Sequence, residues 1–195
     1  MMAGTAGEFP AGQFTKVVSA ASSEQTVSTT NADGGLAGPT IDAGVYNVKA
    51  GETFKIQLKV SNNSDGFNAI NSWLDVDTNK FEIVKMESGD PSMQDYKDSE
   101  AYSYATVNTF DKKNAASGVK TILTLYSDTN NLKGDMVLAT ITLKVKDNVT
   151  DGYYSLPFDA NGDGGAMANR LITEGGERTP QILNPTFKGA VGLRI

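Results

Sequence analysis

Asp159-Ala160-Asn161-Gly162-Asp163-Gly164 is the stretch whose spacing comes nearest to a chemical site. It matches the first half of a calcium loop, with oxygen donors at positions 1, 3 and 5 and glycine at position 6. Position 12, where a bidentate glutamate would close the coordination shell, is Arg170, and no helical pattern flanks the loop. Asp159, Asn161 and Asp163 are thus a candidate metal loop only of a kind other than an EF-hand. An Asx-rich turn closed by glycine is the preferred reading. Catalysis has less to work with. The chain has no histidine, which excludes a Ser-His-Asp triad and an imidazole base. Nor has it cysteine, so thiolate nucleophiles, disulfides and Cys/His zinc sites are excluded as well. No glycine-rich phosphate loop joins a strand to a helix. Its 23 Asp and Glu residues could form a glycosidase-like acid pair by chance, but their spacing singles none out. No enzyme is expected, and no cofactor is required.

Composition narrows the partners. A net charge of -6 leaves no basic field for phosphate, so nucleic acid is not expected. No apolar run reaches about 18 residues, so no membrane insertion is expected. The N-terminus lacks a basic start followed by an apolar core; an exported protein would carry its signal upstream of this sequence. With 195 residues the chain can hold one domain of ordinary size and a tail. Residues 1–38 are rich in Ala, Gly, Ser and Thr, and Gly7-Glu8-Phe9 has the look of a cloning remnant. Such a segment buries too little apolar surface to offset its ordering entropy and is expected to be a flexible tail. The domain is expected over residues 39–195.

From Pro39 onward the pattern is that of strands. A first strand is expected over Thr40–Val48. Phe54, Ile56, Leu58 and Val60 alternate with Lys55, Gln57 and Lys59, and Val137 to Val145 alternates in the same way. Further strands are expected at Ile70–Val76, Phe81–Met86, Tyr102–Phe110, Val119–Ser127, Tyr153–Phe158 and Phe187–Ile195. Asp128–Asp135 and most of Asp159–Pro185 are expected to be loop. About nine strands without an amphipathic helix call for an all-β sandwich, with jelly-roll topology preferred.

Two of these strands carry large apolar groups on the side that alternation assigns away from the core. On Gly66–Ile83, Ile70, Leu74 and Val76 share one side, while Asn71, Trp73 and Asp75 share the other. Trp73 belongs either to the core, swung inward by a bulge, or to a surface meant to be covered. On the later strand Ile122, Thr124 and Tyr126 lie opposite Leu123 and Leu125. The second strand favours the surface reading. Trp73, Leu123 and Leu125 form an apolar centre edged by Asn71, Asp75, Ser127 and Asp128, the make-up of a protein interface.

Five stretches, taken in order, are similar to the cohesin family, the scaffoldin modules that receive dockerins. They are PTIDAGVYNVKAGETFKIQLKVSN, GFNAINSWLDVDTNKFEIVKMESGD, TILTLYSD, GDMVLATITLKVK and FKGAVGLRI, running from Pro39 to the end of the chain. Val76-Asp77-Thr78 stands where the family has Tyr-Asp-Pro, and the segment from Gly152 to Pro185 is longer than usual. These departures suggest a divergent, ruminococcal kind of cohesin. The resemblance implies a nine-stranded jelly roll with one flat sheet face that docks a dockerin-bearing protein. It implies no catalysis, an extracellular or cell-surface setting in a cellulosome-type assembly for polysaccharide degradation, and calcium held by the dockerin. Carried over residue by residue, recognition positions fall at Ala69 and Asn71 and at Leu123, Leu125, Ser127 and Asp128. Tyr104 or Tyr102 represents the intervening strand. The alternative is a carbohydrate-binding module, which stacks sugars on coplanar surface aromatics; Tyr96, Tyr102, Tyr104, Tyr153 and Tyr154 are its candidates. A structural adhesin would bind neither dockerin nor sugar.

Overall fold

Period-2 patterning dictates extended chain, and strands must then pair and bury one face. A computed structural model of the chain describes residues 25–92, 105–162 and 167–194, with side chains as far as residue 190. Its thirteen strands are β1 (Val27–Thr29), β2 (Leu36–Asp42), β3 (Val45–Val48), β4 (Thr53–Ser61), β5 (Phe67–Asp77), β6 (Phe81–Ser88), β7 (Thr106–Phe110), β8 (Val119–Leu132), β9 (Met136–Val145), β10 (Tyr153–Leu156), β11 (Ala168–Glu174), β12 (Glu177–Lys188) and β13 (Ala190–Arg194). Among the described residues there is no helix.

Nine of these strands follow the order β6-β9-β4-β2-β12-β11-β5-β8-β7 in one curled sheet, with β1 added beside β12. A second sheet has the order β10-β13-β3. The inner sides of the two arms of the curled sheet share one core. Ile41, Ile56, Leu58, Phe81, Ile141 and Leu143 come from one arm, and Ile70, Leu74, Val76, Ile122 and Tyr126 from the other. The alternation of β4 holds, with Phe54, Ile56, Leu58 and Val60 buried. The all-β sandwich expected from the sequence is the architecture found.

Four differences bear on the face discussed below. The expected first strand breaks at Ala43-Gly44 into β2 and β3, Gly44 having φ of +83°. β8 continues to Leu132, and Asn63 Nδ2 donates to the carbonyls of Leu132 (3.0 Å) and Gly134 (3.0 Å) there. The expected loop over Asp159–Pro185 instead contains the antiparallel hairpin β11–β12, with Gly175 and Gly176 at positive φ (60° and 89°) between Glu174 and Glu177. Those are the angles a two-residue type I′ turn needs, and glycine adopts them without a Cβ clash. Finally, the expected boundary at residue 39 falls inside β2. Val27 to Thr29 pair with Lys188 to Thr186, and Gln25 Nε2 donates to Asp42 Oδ1 (2.8 Å). Backbone pairing docks this stretch where apolar burial could not. The rest of the expected tail, residues 1–24, lies outside the described residues.

Candidate functional site

Asn71, Trp73 and Asp75 project from the side of β5 that alternation assigned to them. The register with β8 runs unbroken from Ala69–Ser127 to Asp77–Val119. Paired antiparallel residues share a side, so Asn71 neighbours Leu125, Trp73 neighbours Leu123, and Asp75 neighbours Thr121. β7 adds Thr106 beside Leu125, Asn108 beside Leu123 and Phe110 beside Thr121. The structure thus brings Ala69, Asn71, Trp73, Asp75, Leu123, Leu125 and Ser127 onto one face. Asp128 does not join it. It lies in the irregular stretch between the Ala69–Ser127 and Phe67–Leu132 pairs, where its Oδ1 accepts from Asn130 N at 2.9 Å. Tyr104 and Tyr102 lie outside the described residues.

Trp73 is the main correction. It was expected to be an open contact, yet it is only 8% exposed. No bulge turns it inward; the chain's own residues 157–162 roof it. Asp75 N donates to Pro157 O (2.9 Å), Asp159 N donates to Trp73 O (2.8 Å), and Leu74 bridges Phe158. Gly162 (φ +50°) then lies against the indole, and a Cβ there would come within 2.8 Å of Trp73 Nε1. On another side the Phe110 ring meets the indole edge-on, with centroids 5.2 Å apart and planes at 87°. The indole N–H is buried with no acceptor among the described residues. Gly162→Ala is expected to destabilise the domain by about 1–3 kcal/mol through backbone strain and overpacking, measured as a lower urea midpoint at an unchanged slope.

The roof is pinned by charge. Lys112 Nζ donates to Asp159 Oδ2 (2.8 Å) and Asp75 Oδ2 (2.9 Å), and Thr121 Oγ1 donates to Asp75 Oδ1 (2.6 Å). Asp75, expected at the polar edge of an interface, is therefore engaged within the chain. Asp159 Oδ1 accepts from the backbone of Asn161 (3.0 Å) and Gly162 (3.2 Å), an Asx turn. The candidate metal loop thus has one carboxylate already matched to an ammonium and two amides, while Asp163 lies outside the described residues. Burial pushes the Asp159 pKa up, but the Lys112 and amide hydrogen bonds outweigh it and hold it below the usual carboxylate value. Burial likewise pulls Lys112 down, and its bonds to Asp159 and Asp75 hold it above the usual lysine value.

These shifts predict a pH dependence. A depressed carboxylate contributes stability above about pH 4, lost as pH falls through the lowered folded value. Lys112→Met leaves two carboxylates facing each other without a cation. We expect a loss of about 1–3 kcal/mol at pH 7, together with a shallower fall in stability between about pH 4 and pH 2 than in the unmodified chain. Urea midpoints at both ends of that window check it; equal midpoints for the two proteins at pH 7 would remove Lys112 from this role.

Beyond the roof the face is open. Leu125 is 39% exposed, Ser127 is exposed, and Ala69, Asn71 and Leu123 are half-buried. Pairing on both edges of β8 fixes Leu125 in place. The outer side of this sheet thus holds a polar cluster that pins a loop beside an apolar strip of Leu123 and Leu125. The family model described as cohesin domain matches residues 39–173, and the chain belongs to the cohesin family. Cohesin domains are non-catalytic interaction modules. Solved structures agree on the fold. The seventh ScaB type I cohesin of Pseudobacteroides cellulosolvens is similar at TM-score 0.57 and 18% identity, over 80% of this chain and 92% of that one. The third ScaC cohesin of Acetivibrio cellulolyticus, in complex with the ScaB dockerin, gives TM-score 0.53 and 17% identity over 80% and 99%. The OlpC cohesin of Clostridium thermocellum, in complex with a dockerin, gives 0.53 and 18% over 85% and 100%. No curated protein matches the chain.

The element missed in the sequence near this face is the β11–β12 hairpin. Gly175-Gly176 between Arg170-Leu171-Ile172-Thr173 and Arg178-Thr179-Pro180-Gln181-Ile182 is a hairpin signal. A strand admits proline only at an edge or a bulge, and β12 carries Pro180 and Pro185. Pro180 lies where β12 has not yet met β2, and Pro185 sits at the register shift between Asn184 and Thr186. Both are positions a strand tolerates.

Proposed function

We propose that this chain binds a dockerin-bearing protein, without catalysis, through the open part of the β7–β8–β5 face. The setting is an extracellular or cell-surface cellulosome-type assembly that degrades polysaccharide. The observation that carries this reading is the exposed Leu125, held by strands on both edges and flanked by Asn71, Ser127 and Thr106. A preformed sheet loses little entropy on docking. At about 25 cal/mol per Å2, a few hundred Å2 of apolar contact contributes several kcal/mol. Asn71 and Ser127 supply hydrogen bonds at the rim. Solved relatives that carry a dockerin support the choice of partner. Calcium belongs to the dockerin in this reading, and the cohesin requires none.

The carbohydrate-binding alternative needs coplanar, open aromatics. Trp73 is roofed and stands nearly perpendicular to Phe110, which gives sugar no stacking platform there. Isothermal titration against calcium-loaded dockerins, including those crystallised with the cohesin neighbours, tests the proposal. We expect at least one to bind at micromolar affinity or tighter, and chelation with EDTA to abolish the binding while the melting temperature of this chain stays unchanged. Binding to cellulose or xylan on affinity gels, with no dockerin bound, would overturn it.

A further inference from the structure

The outer rows of the face do not stop at β5. Ala69 pairs with Asn169 on β11, and Asn169 pairs with Ile182 on β12. With Ser127 these residues form one row across four strands, all on the same side. Burial fixes the sense of the row: the neighbouring Ile70, Ala168 and Leu183 are paired on the core side, and all three are buried. Two residues along the hairpin, Leu171 pairs with Pro180 on the outer side. Ile182 is 37% exposed and Pro180 is exposed.

The hairpin is braced along its edge rather than across its face. Leu171 N donates to Asn131 Oδ1 (2.8 Å), and Asn131 Nδ2 donates to Leu171 O (2.7 Å), so one side chain stands in for a neighbouring strand. Arg170 Nε donates to Gly66 O (2.9 Å), with Asp65 beside the guanidinium (3.5 Å). Such bracing gives a preorganised surface.

Width decides what this surface is for. Strands lie about 4.8 Å apart and rise about 3.4 Å per residue, so Ile182 on β12, three strands across and two residues along from Leu125 on β8, stands about 16 Å from it. A helix with its side chains is about 10 Å across. A helix seated on Leu125 leaves the hairpin free for a second element of the same partner. We propose that the β11–β12 hairpin is a second contact for the dockerin, with Leu171, Pro180 and Ile182 receiving an apolar surface of a second element, and that it selects among dockerins. This rests on the dockerin reading above. Continuity of the row with the docking face argues for one shared occupant. The family match ends at Thr173, so the return strand lies outside the matched region, where this chain is free to differ in preference.

The test uses the calcium-loaded dockerin that binds best in the panel above. Ile182→Arg is expected to weaken it at least tenfold by titration calorimetry, with the melting temperature moved by less than about 2 °C. In the unmodified chain, amides of residues 171–182 are expected to exchange more slowly once dockerin saturates it. Unchanged affinity for Ile182→Arg and unchanged exchange, while Leu125→Arg abolishes binding, overturn the hairpin contact and leave the docking face intact. Absence of any dockerin binding by the unmodified chain overturns the dockerin reading itself, and this inference with it. Should Ile182→Arg fail to fold, the exchange measurement on the unmodified chain decides alone.

Discussion

Leu125→Arg is expected to weaken dockerin binding about a hundredfold or more, equivalent to about 3 kcal/mol, while leaving the fold intact. Two physical terms combine. Docking would desolvate a guanidinium opposite an apolar partner surface, and the apolar contact at the centre of the face is lost. The free protein is spared because Leu125 points away from the core and is 39% exposed, and surface substitutions of that kind usually change stability by less than about 0.5 kcal/mol. Titration calorimetry with the best-binding dockerin, beside a melting curve, reads both effects. Undiminished affinity would place the docking surface elsewhere on the molecule. Asn71→Ala, at the rim of the same row, is expected to cost only a few-fold.

Trp73→Ala is expected to do the reverse: to cost about 3–5 kcal/mol of folding stability and little affinity in the molecules that remain folded. The indole is enclosed by Gly162, Phe110 and the strand beneath it, and removing it leaves a cavity that the pinned roof cannot fill. Trp73→Phe is expected to cost less, because it keeps part of the volume and removes an N–H that has no acceptor among the described residues. The chain has a single tryptophan, so its emission reports this site directly. Blue-shifted emission that iodide does not quench is expected in the folded chain, with no change when dockerin binds. Loss of affinity without loss of stability in Trp73→Ala would show that the indole is an open anchor after all.

Asp75 and Asp128 show how such a reading goes astray at neighbouring positions. Alternation along β5 put Asp75 on the outer side correctly. It could not reveal that Lys112, distant in sequence, would reach across and pair it with Asp159. Asp128 was carried over beside Ser127 from the family resemblance, but the ladder becomes irregular after the Ala69–Ser127 pair, and there its carboxylate turns to the backbone amide of Asn130. Leu125 and Asn71 needed no such correction, since their placement depends only on the period of two and on a register that does not slip.

Residue order alone determined the strand class, the alternation of β4, the inner and outer sides of β5 and β8, and membership of the cohesin family. The strand class and the inner and outer sides follow from local spacing, because side chains of an extended chain must point alternately to opposite faces; the likeness to the family rested on five ordered stretches of sequence instead. Tertiary structure decided which part of the outer side stays open. The roof of residues 157–162, its Lys112 clamp and the β11–β12 extension all join positions far apart in the chain. Whether an apolar side chain is covered depends on such distant partners, and no periodicity records them.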